Sequence, residues 1–313
     1  MVAEPSPAEL PDAFRTLVQE RNAVVLAHYY QDSTLQDLAD HVGDSLQLAV
    51  AAQRCEADVI LFCGVHFMAE TAKILNPSRR VVLPDLDAGC SLADAAPAPA
   101  LAAWKAAHPD HIIVSYINCT AATKALSDVI VTSSNARRIV SALPTDRPIL
   151  FGPDRHLGAW LVAQTGRPMD LWPGACIVHE AVAERVVLDL RARHPGAPIL
   201  AHPECPAEVL IHADFVGSTT ALLQRATTDP ATTFLVATES GILHKMRLAR
   251  PDATFVAIPG RDISCACNEC PHMRRNTLLK AYRALRDLAP EIELEESLRL
   301  AAKRPLDAML AMS

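Results

Sequence analysis

Ala23-Val24-Val25-Leu26-Ala27-His28-Tyr29-Tyr30 is a short apolar run that ends in three polar aromatic rings. A run of this length without alternation reads as a strand buried on both faces, the kind found in parallel sheets. The pattern returns twice. Ile112-Ile113-Val114-Ser115 leads into Tyr116-Ile117-Asn118, and Pro198-Ile199-Leu200-Ala201 leads into His202-Pro203-Glu204. The polar signatures begin at residues 28, 116 and 202, which are 88 and 86 residues apart. A second signature follows each: Gly43-Asp44-Ser45, Thr132-Ser133-Ser134 and Gly217-Ser218-Thr219. Ser45, Ser133 and Thr219 keep the same two offsets. Similar apolar runs then occur at 60–64, 149–153 and 234–238, and each unit closes in a loop carrying cysteine. These loops are Asp87-Ala88-Gly89-Cys90, Pro173-Gly174-Ala175-Cys176 and Cys265-Ala266-Cys267-Asn268-Glu269-Cys270.

Several classes of signature recurring in one order mark an internal repeat. Apolar runs at 23–27, 59–62, 112–114, 149–151, 198–201 and 233–236 alternate with helical patterns such as 35–41, 45–54 and 68–75. That alternation is the pattern of a parallel α/β protein. The 313 residues alone suggest about two domains. The repeats instead predict three pseudo-symmetric α/β/α domains of parallel sheet around a central axis, with the active site at the three-domain junction. The expected boundaries are 1–104, 105–190 and 191–275, with a C-terminal helical segment, 276–313, packing on the repeats. Ligand sites of open α/β sheets lie at the carboxyl ends of strands, so all these signatures can converge on one axis.

Composition narrows the partners. Half the residues are hydrophobic and 21% are charged, with a mean hydropathy of +0.14, which excludes a disordered chain. A net charge of −7 without a basic run argues against nucleic acid. There is no uninterrupted apolar stretch of membrane-spanning length and no secretory leader pattern, so a cytoplasmic protein is expected. Nine cysteines, an odd number in a reducing compartment, argue against a disulfide framework.

Cys90, Cys176 and Cys270 stand at the ends of the three closing loops. One thiolate from each unit meeting on the axis can complete a zinc site with water, or hold a [4Fe–4S] cluster whose fourth iron stays open as a Lewis acid. Cys55, Cys63, Cys119 and Cys205 read as packing residues, the last two near enough to the signatures to line a cavity. Ser45, Ser133 and Ser218-Thr219 precede helical runs and read as N-caps, whose free N–H groups can also hold a small polyanion. His202 and Glu204, two apart on an extended strand, point to one side, where the carboxylate can orient the ring for proton transfer. Tyr30 needs a lowered pKa to act as a base. Glu70 and Lys73 read as an i,i+3 helical pair, surface or structural, and 291–299 as a solvated amphipathic helix. No dinucleotide or nucleoside-triphosphate loop motif is present.

These motifs resemble the quinolinate synthase family. The resemblance runs from about Val24 to Tyr282 and is carried by Ala27-His28-Tyr29-Tyr30-Gln31, Gly43-Asp44-Ser45, residues 67–75, Gly89-Cys90-Ser91-Leu92, Tyr116-Ile117-Asn118-Cys119, residues 132–136, Gly174-Ala175-Cys176, His202-Pro203-Glu204-Cys205, Gly217-Ser218-Thr219 and Cys270-Pro271. It implies a transferase that condenses iminosuccinate with dihydroxyacetone phosphate to quinolinate, phosphate and water in de novo NAD biosynthesis, with the open iron as Lewis acid. An L-aspartate oxidase or aspartate dehydrogenase would supply the iminosuccinate. The implied cofactor is one [4Fe–4S] cluster per chain, on Cys90, Cys176 and Cys270. Substrate contacts carry over to His28, Ser45, Tyr116, Ile117, Asn118, Ser133, His202, Pro203, Glu204 and Thr219, and the proton-transfer roles to Tyr30, His202 and Glu204. One departure is the C-x-C-x-x-C before Pro271, where some relatives have C-x-x-C-x-x-C. It leaves Cys270 as the ligand and gives Cys265 and Cys267 no assigned role. The alternatives are a zinc-dependent aldolase or lyase on the same thiolates, and a non-enzymatic iron–sulfur sensor.

Overall fold

The computed structural model describes residues 4–260 and 268–313, so Cys265 and Cys267 lie outside the described residues. Among the described residues, twelve strands form three four-stranded sheets. The first holds β1 (Ala23–His28), β2 (His41–Gly43), β3 (Val59–Cys63) and β4 (Arg80–Val82) in the order β2-β1-β3-β4. The second holds β5 (Ile112–Tyr116), β6 (Val129–Val131), β7 (Ile149–Gly152) and β8 (Asp170–Leu171), ordered β6-β5-β7-β8. The third holds β9 (Ile199–Ala201), β10 (Phe215–Val216), β11 (Thr233–Ala237) and β12 (Thr254–Ala257), ordered β10-β9-β11-β12. Every pairing between these strands is parallel, and the register repeats as Leu26↔Phe62, Val114↔Phe151 and Leu200↔Val236. The chain is thus α/β, three times over.

A further repeat lies in the edge pairing. Asp40, Asp128 and Asp214 each precede the second strand of their sheet. Their carboxylates accept the backbone N–H of Val25, Ile113 and Ile199 at 2.7–2.8 Å. A very short edge strand makes few ladder bonds, and this side-chain hook supplies another charge-assisted one. The three aspartates fall at the same 88- and 86-residue offsets as the signatures, a regularity the sequence reading passed over.

Helices cover both faces of the sheets, which is why the central strands are almost wholly apolar. Leu26 and Ile60 of the first sheet share a core with Val114 and Phe151 of the second and with Leu306 and Met309 of the helix Glu296–Ala311. Phe14, Ala281 and Leu285, from the helices Leu10–Glu20 and Leu278–Asp287, cover Val25 and Leu61 on the other face. On the third sheet, Val187 packs over Ile199 and Leu235, while Met246 and Phe234 meet Tyr29 from the first unit. Each large side chain buried in this way contributes about 1.5–3 kcal/mol.

Several local expectations change. His41 begins β2, and the helix before it ends at Leu38. The 291–299 stretch is a helix only from Glu296, and Arg299 is buried, donating to the carbonyl of Ile74 at 3.0 Å. Glu291 lies in an antiparallel bridge to Val82. Glu70 and Lys73 do not pair. Buried Glu70 accepts the N–H of Ala121 at 2.9 Å, while Lys73 binds the Arg79 carbonyl at 2.9 Å. The capping residue at 45–54 is Asp44, not Ser45, and Ser133 caps no helix. Ser218 does cap Thr219–Thr228, through the N–H of Ala221.

Candidate active site

One cavity is lined by all three units. His28, Tyr30, Ser45 and Cys90 come from the first, Tyr116, Asn118, Ser133 and Cys176 from the second, and His202, Glu204, Thr219 and Cys270 from the third. Strand ends explain the convergence: β1, β5 and β9 stop at or just before residues 28, 116 and 202. Ile117 and Pro203 are buried beside the cavity and do not line it. Cys63, Cys119 and Cys205 are buried in packing positions away from it, and Cys55 is partly buried.

His202-Pro203-Glu204 is a turn and not extended strand, since β9 stops at Ala201. Nδ1 of His202 lies 3.8 Å from Oε1 of Glu204, while the N–H of Glu204 donates back to that Nδ1 at 3.3 Å. His28 does the same one unit earlier, its Nδ1 accepting the Tyr30 N–H at 3.1 Å. With Nδ1 used as acceptor, each ring carries its proton on Nε2. Burial drives His28 down to about 4 and His202 down to about 3, only partly opposed by nearby carboxylates. Both rings are therefore neutral donors near pH 7.

The partner that orients Glu204 is His179, which sequence reasoning missed. Its Nδ1 lies 2.9 Å from Glu204 Oε2 and its Nε2 lies 2.9 Å from the Thr238 hydroxyl. Thr238 in turn lies 2.8 Å from the Tyr30 hydroxyl, which is 3.0 Å from Thr219. The Tyr116 hydroxyl donates to Glu204 Oε1 at 2.6 Å. A continuous chain therefore runs Tyr30–Thr238–His179–Glu204–Tyr116. Burial alone would raise the Glu204 carboxyl, but the His179 ring and the Tyr116 phenol hold it below its ordinary value. Burial pushes both phenols well above theirs, assisted at Tyr116 by the Glu204 charge. Tyr30 holds its proton here, the reverse of what a tyrosine base requires.

Asp44 ties the three units together at the cavity edge. Its Oδ1 caps its own helix through Leu46 and Gln47, and its Oδ2 accepts from Ser134 and Thr220, both at 2.7 Å. Two buried polar atoms of the cavity wall, Asn118 Oδ1 and Thr132 Oγ1, have no partner among the described residues. Such orphans mark where a polar ligand belongs.

The cysteines form a coupled group. Burial pushes Cys90 up to about 12 and raises Cys176 and Cys270, and the charge of each neighbouring thiolate adds to the effect at Cys90 and Cys176. Three partly buried thiols with no lysine or arginine among the cavity-lining residues need a bound cation to deprotonate, and soft sulfur suits iron or zinc. Behind two of them sit buried carboxylates, Asp154 and Glu239, each raised to about 8 chiefly by burial. Cys176, His179 and Glu204 also present a mixed donor set, with ligand atoms within 4.8 Å of one another.

No helix among the described residues is long and apolar enough to cross a membrane. Residues 12–311 match a family model described as Quinolinate synthetase A protein. A quinolinate synthase of Synechococcus sp. is 60% identical over 307 residues, covering 98% of this chain and 96% of that protein. Those of Thermosynechococcus vestitus and Nostoc punctiforme are 58% and 56% identical, over 99% and 98% of this chain and 97% and 94% of theirs. With a match along nearly its whole length and this level of identity, the chain belongs to the quinolinate synthase family.

Proposed function

We propose that this chain condenses iminosuccinate with dihydroxyacetone phosphate to give quinolinate, phosphate and water, in the cytoplasm, with iminosuccinate drawn from an L-aspartate oxidase or aspartate dehydrogenase. The observation that carries the reading is the cavity itself: three thiols, one per unit, facing an uninterrupted chain of acid–base groups. The donor set fits a [4Fe–4S] cluster held by Cys90, Cys176 and Cys270, one per chain. When bound, such a cluster supplies Lewis-acid polarisation at the iron that lacks a protein ligand. The division at 104/105, 190/191 and 275/276 is part of this reading, supported by one sheet falling within each of the first three segments.

The chain's own residues supply binding and proton transfer. Both substrates are anions, yet no lysine or arginine is among the cavity-lining residues. The N-terminal ends of the helices Ser45–Arg54 and Thr219–Thr228 offer backbone donors and positive dipole ends instead. Ser133, Asn118 and the neutral Nε2–H groups of His28 and His202 add directed donors without cationic charge. Tyr30 is the acid: its phenol gives up a proton to a leaving oxygen and is restored through Thr238 and His179. Glu204 is the base, its carboxylate accepting a proton that His179 passes along the chain. Tyr116 holds Glu204 in place. Ile117 and Pro203 shape the turns that present Tyr116, Asn118, His202 and Glu204.

The zinc-dependent aldolase remains the second reading because Cys176, His179 and Glu204 form a mixed set that zinc accepts. Anaerobic purification with iron, sulfide and zinc analysis, followed by an assay of quinolinate formation, decides between them. About four irons and four sulfides per chain with quinolinate formed supports the first reading. One zinc, no sulfide and turnover in air would replace it with the second.

A further inference from the structure

The three cysteine loops are held to the sheets by one repeated backbone contact. The residue after each strand-end turn donates its N–H to the carbonyl two residues before the cysteine. His66 donates to Ala88 at 2.7 Å, Arg155 to Gly174 at 2.8 Å and Ser240 to Asn268 at 3.0 Å. The residues just ahead of these donors are Val65, Asp154 and Glu239. In the second and third units that side chain makes a second tie. Asp154 Oδ2 accepts the Cys176 N–H at 2.9 Å, and Glu239 Oε1 accepts the Cys270 N–H at 3.1 Å. The Val65 side chain can accept nothing, so the first unit lacks the tie.

Neither carboxylate has any exposed surface, and burying one is costly unless its oxygens are used. They are used on both sides. The second oxygen of Asp154 takes the N–H groups of His156 and Leu157, at the start of the helix Arg155–Thr165, at 2.7 and 2.9 Å. The second oxygen of Glu239 takes the Gly241 N–H at 2.6 Å. Each carboxylate therefore clamps the backbone of one cysteine to the turn that leaves the strand. The same contact occupies the cysteine N–H, which is then not free to donate to ligand or cluster sulfur. Hydrogen bonds to sulfur and nearby charge both set the potential of an iron–sulfur centre. The two clamps differ in charge support. Glu239 has the Arg274 guanidinium at 3.5 Å, whereas no cation bridges Asp154 among the described residues.

We propose that Asp154 and Glu239 are positioning residues that fix Cys176 and Cys270 as cluster ligands, leaving Cys90 the ligand with the single tie. This rests on the reading of the three cysteines as ligands of an iron–sulfur cluster. The test uses anaerobically prepared, cluster-loaded protein and the variants Asp154→Asn and Glu239→Gln. Glu295→Gln serves as the control, because Glu295 also accepts two N–H groups at a helix start, far from the cysteines in sequence and on a solvent-exposed carboxylate. Transfer of iron to a ferrous chelator is followed in the visible spectrum, with the midpoint potential of the cluster measured in parallel. Each site variant is expected to release iron at least about tenfold faster than wild type, the factor that one lost interaction of 1.4 kcal/mol carries. The midpoint potential should also move upward, because a cysteine N–H freed from the carboxyl oxygen can donate to sulfur. The control should match wild type in both. Release within twofold of wild type together with an unmoved potential in either variant overturns the proposal. Melting of the cluster-free proteins separates the two roles: faster release that merely follows a lowered melting temperature, at unchanged potential, also overturns it. A wild-type protein that binds no iron and sulfide refutes the cluster reading itself, a result distinct from stable clusters in the variants.

Discussion

Acidification should act on the fold through His28, and the effect can be isolated. The ring is almost fully buried, its Nδ1 accepts the Tyr30 N–H, and burial lowers it from the ordinary 6.5 to about 4 in spite of the Asp44 and Glu204 charges that favour protonation. His179, the other ring facing it electrostatically, pushes the same way as burial. Above pH 6.5 neither the folded nor the unfolded chain protonates this side chain, and it adds no pH dependence. Between 6.5 and about 4 the unfolded chain binds a proton that the folded chain refuses, so stability falls with pH and levels off below about 4. The gap between the two values is worth about 3 kcal/mol. His28→Asn keeps a short polar side chain that does not titrate. Urea unfolding of wild type and variant, both cluster-free and reduced so that acid loss of a metal centre does not enter, gives their stability difference at each pH. Whatever advantage wild type holds at pH 7.5 should shrink by about 3 kcal/mol at pH 4. A difference constant to within 1 kcal/mol, or one that grows as pH falls, would refute the assignment of a neutral, proton-refusing ring.

Two further outcomes test the site. Tyr30→Phe removes one end of the chain through Thr238 and His179, and among the described residues the lost hydroxyl bonds only Thr219 and Thr238. The cluster spectrum should stay as in wild type while kcat drops by about 10²–10⁴, and unchanged turnover would take Tyr30 out of the mechanism. Gly241→Ala should cost about 1–3 kcal/mol. A Cβ there would lie 2.8 Å from the Tyr29 carbonyl, the Tyr30 Cα and Glu239 Oε2, where little can give way. Thermal melting indistinguishable from wild type would show that the first and third units do not approach so closely.

The legible part of this molecule was what repeats. Central strands such as β1, β3 and β5 announce themselves because both faces are buried, and an unbroken apolar run has no other stable use at that length. The edge strands were silent for the opposite reason. β8 and β10 hold two residues each, too few to show a period, and they exist because Asp170-Leu171 and Phe215-Val216 fall beside strands already placed. Cys90, Cys176 and Cys270 stood out because each unit supplies one. Asp154 and Glu239 occupy equivalent positions as well, but Val65 stands in the first unit, and a search for threefold matches discards a twofold one. His179 has no counterpart that the repeat exposes, and it lies 25 residues from the glutamate it orients.

The repeat also separates what the frame does from what the chemistry needs. Threefold features, namely the strand order, the aspartate hooks and the loop ties to the cysteines, hold the units and carry three thiols to one cavity. The proposed acid–base groups break that symmetry. The position filled by His28 in the first unit is Tyr116 in the second and His202 in the third, so two neutral imidazoles and one phenol face the cavity from equivalent strand ends. The contacts that tune them cross between units: Tyr30 meets Thr219 and Thr238 of the third, and Tyr116 of the second meets Glu204 of the third. No spacing along the chain encodes a contact between units, because each unit's sequence reports only its own periodicity. The acid–base chain is therefore a property of the assembled axis. A substitution that shifts one unit against another, as at Gly241, should injure catalysis without altering any group in it.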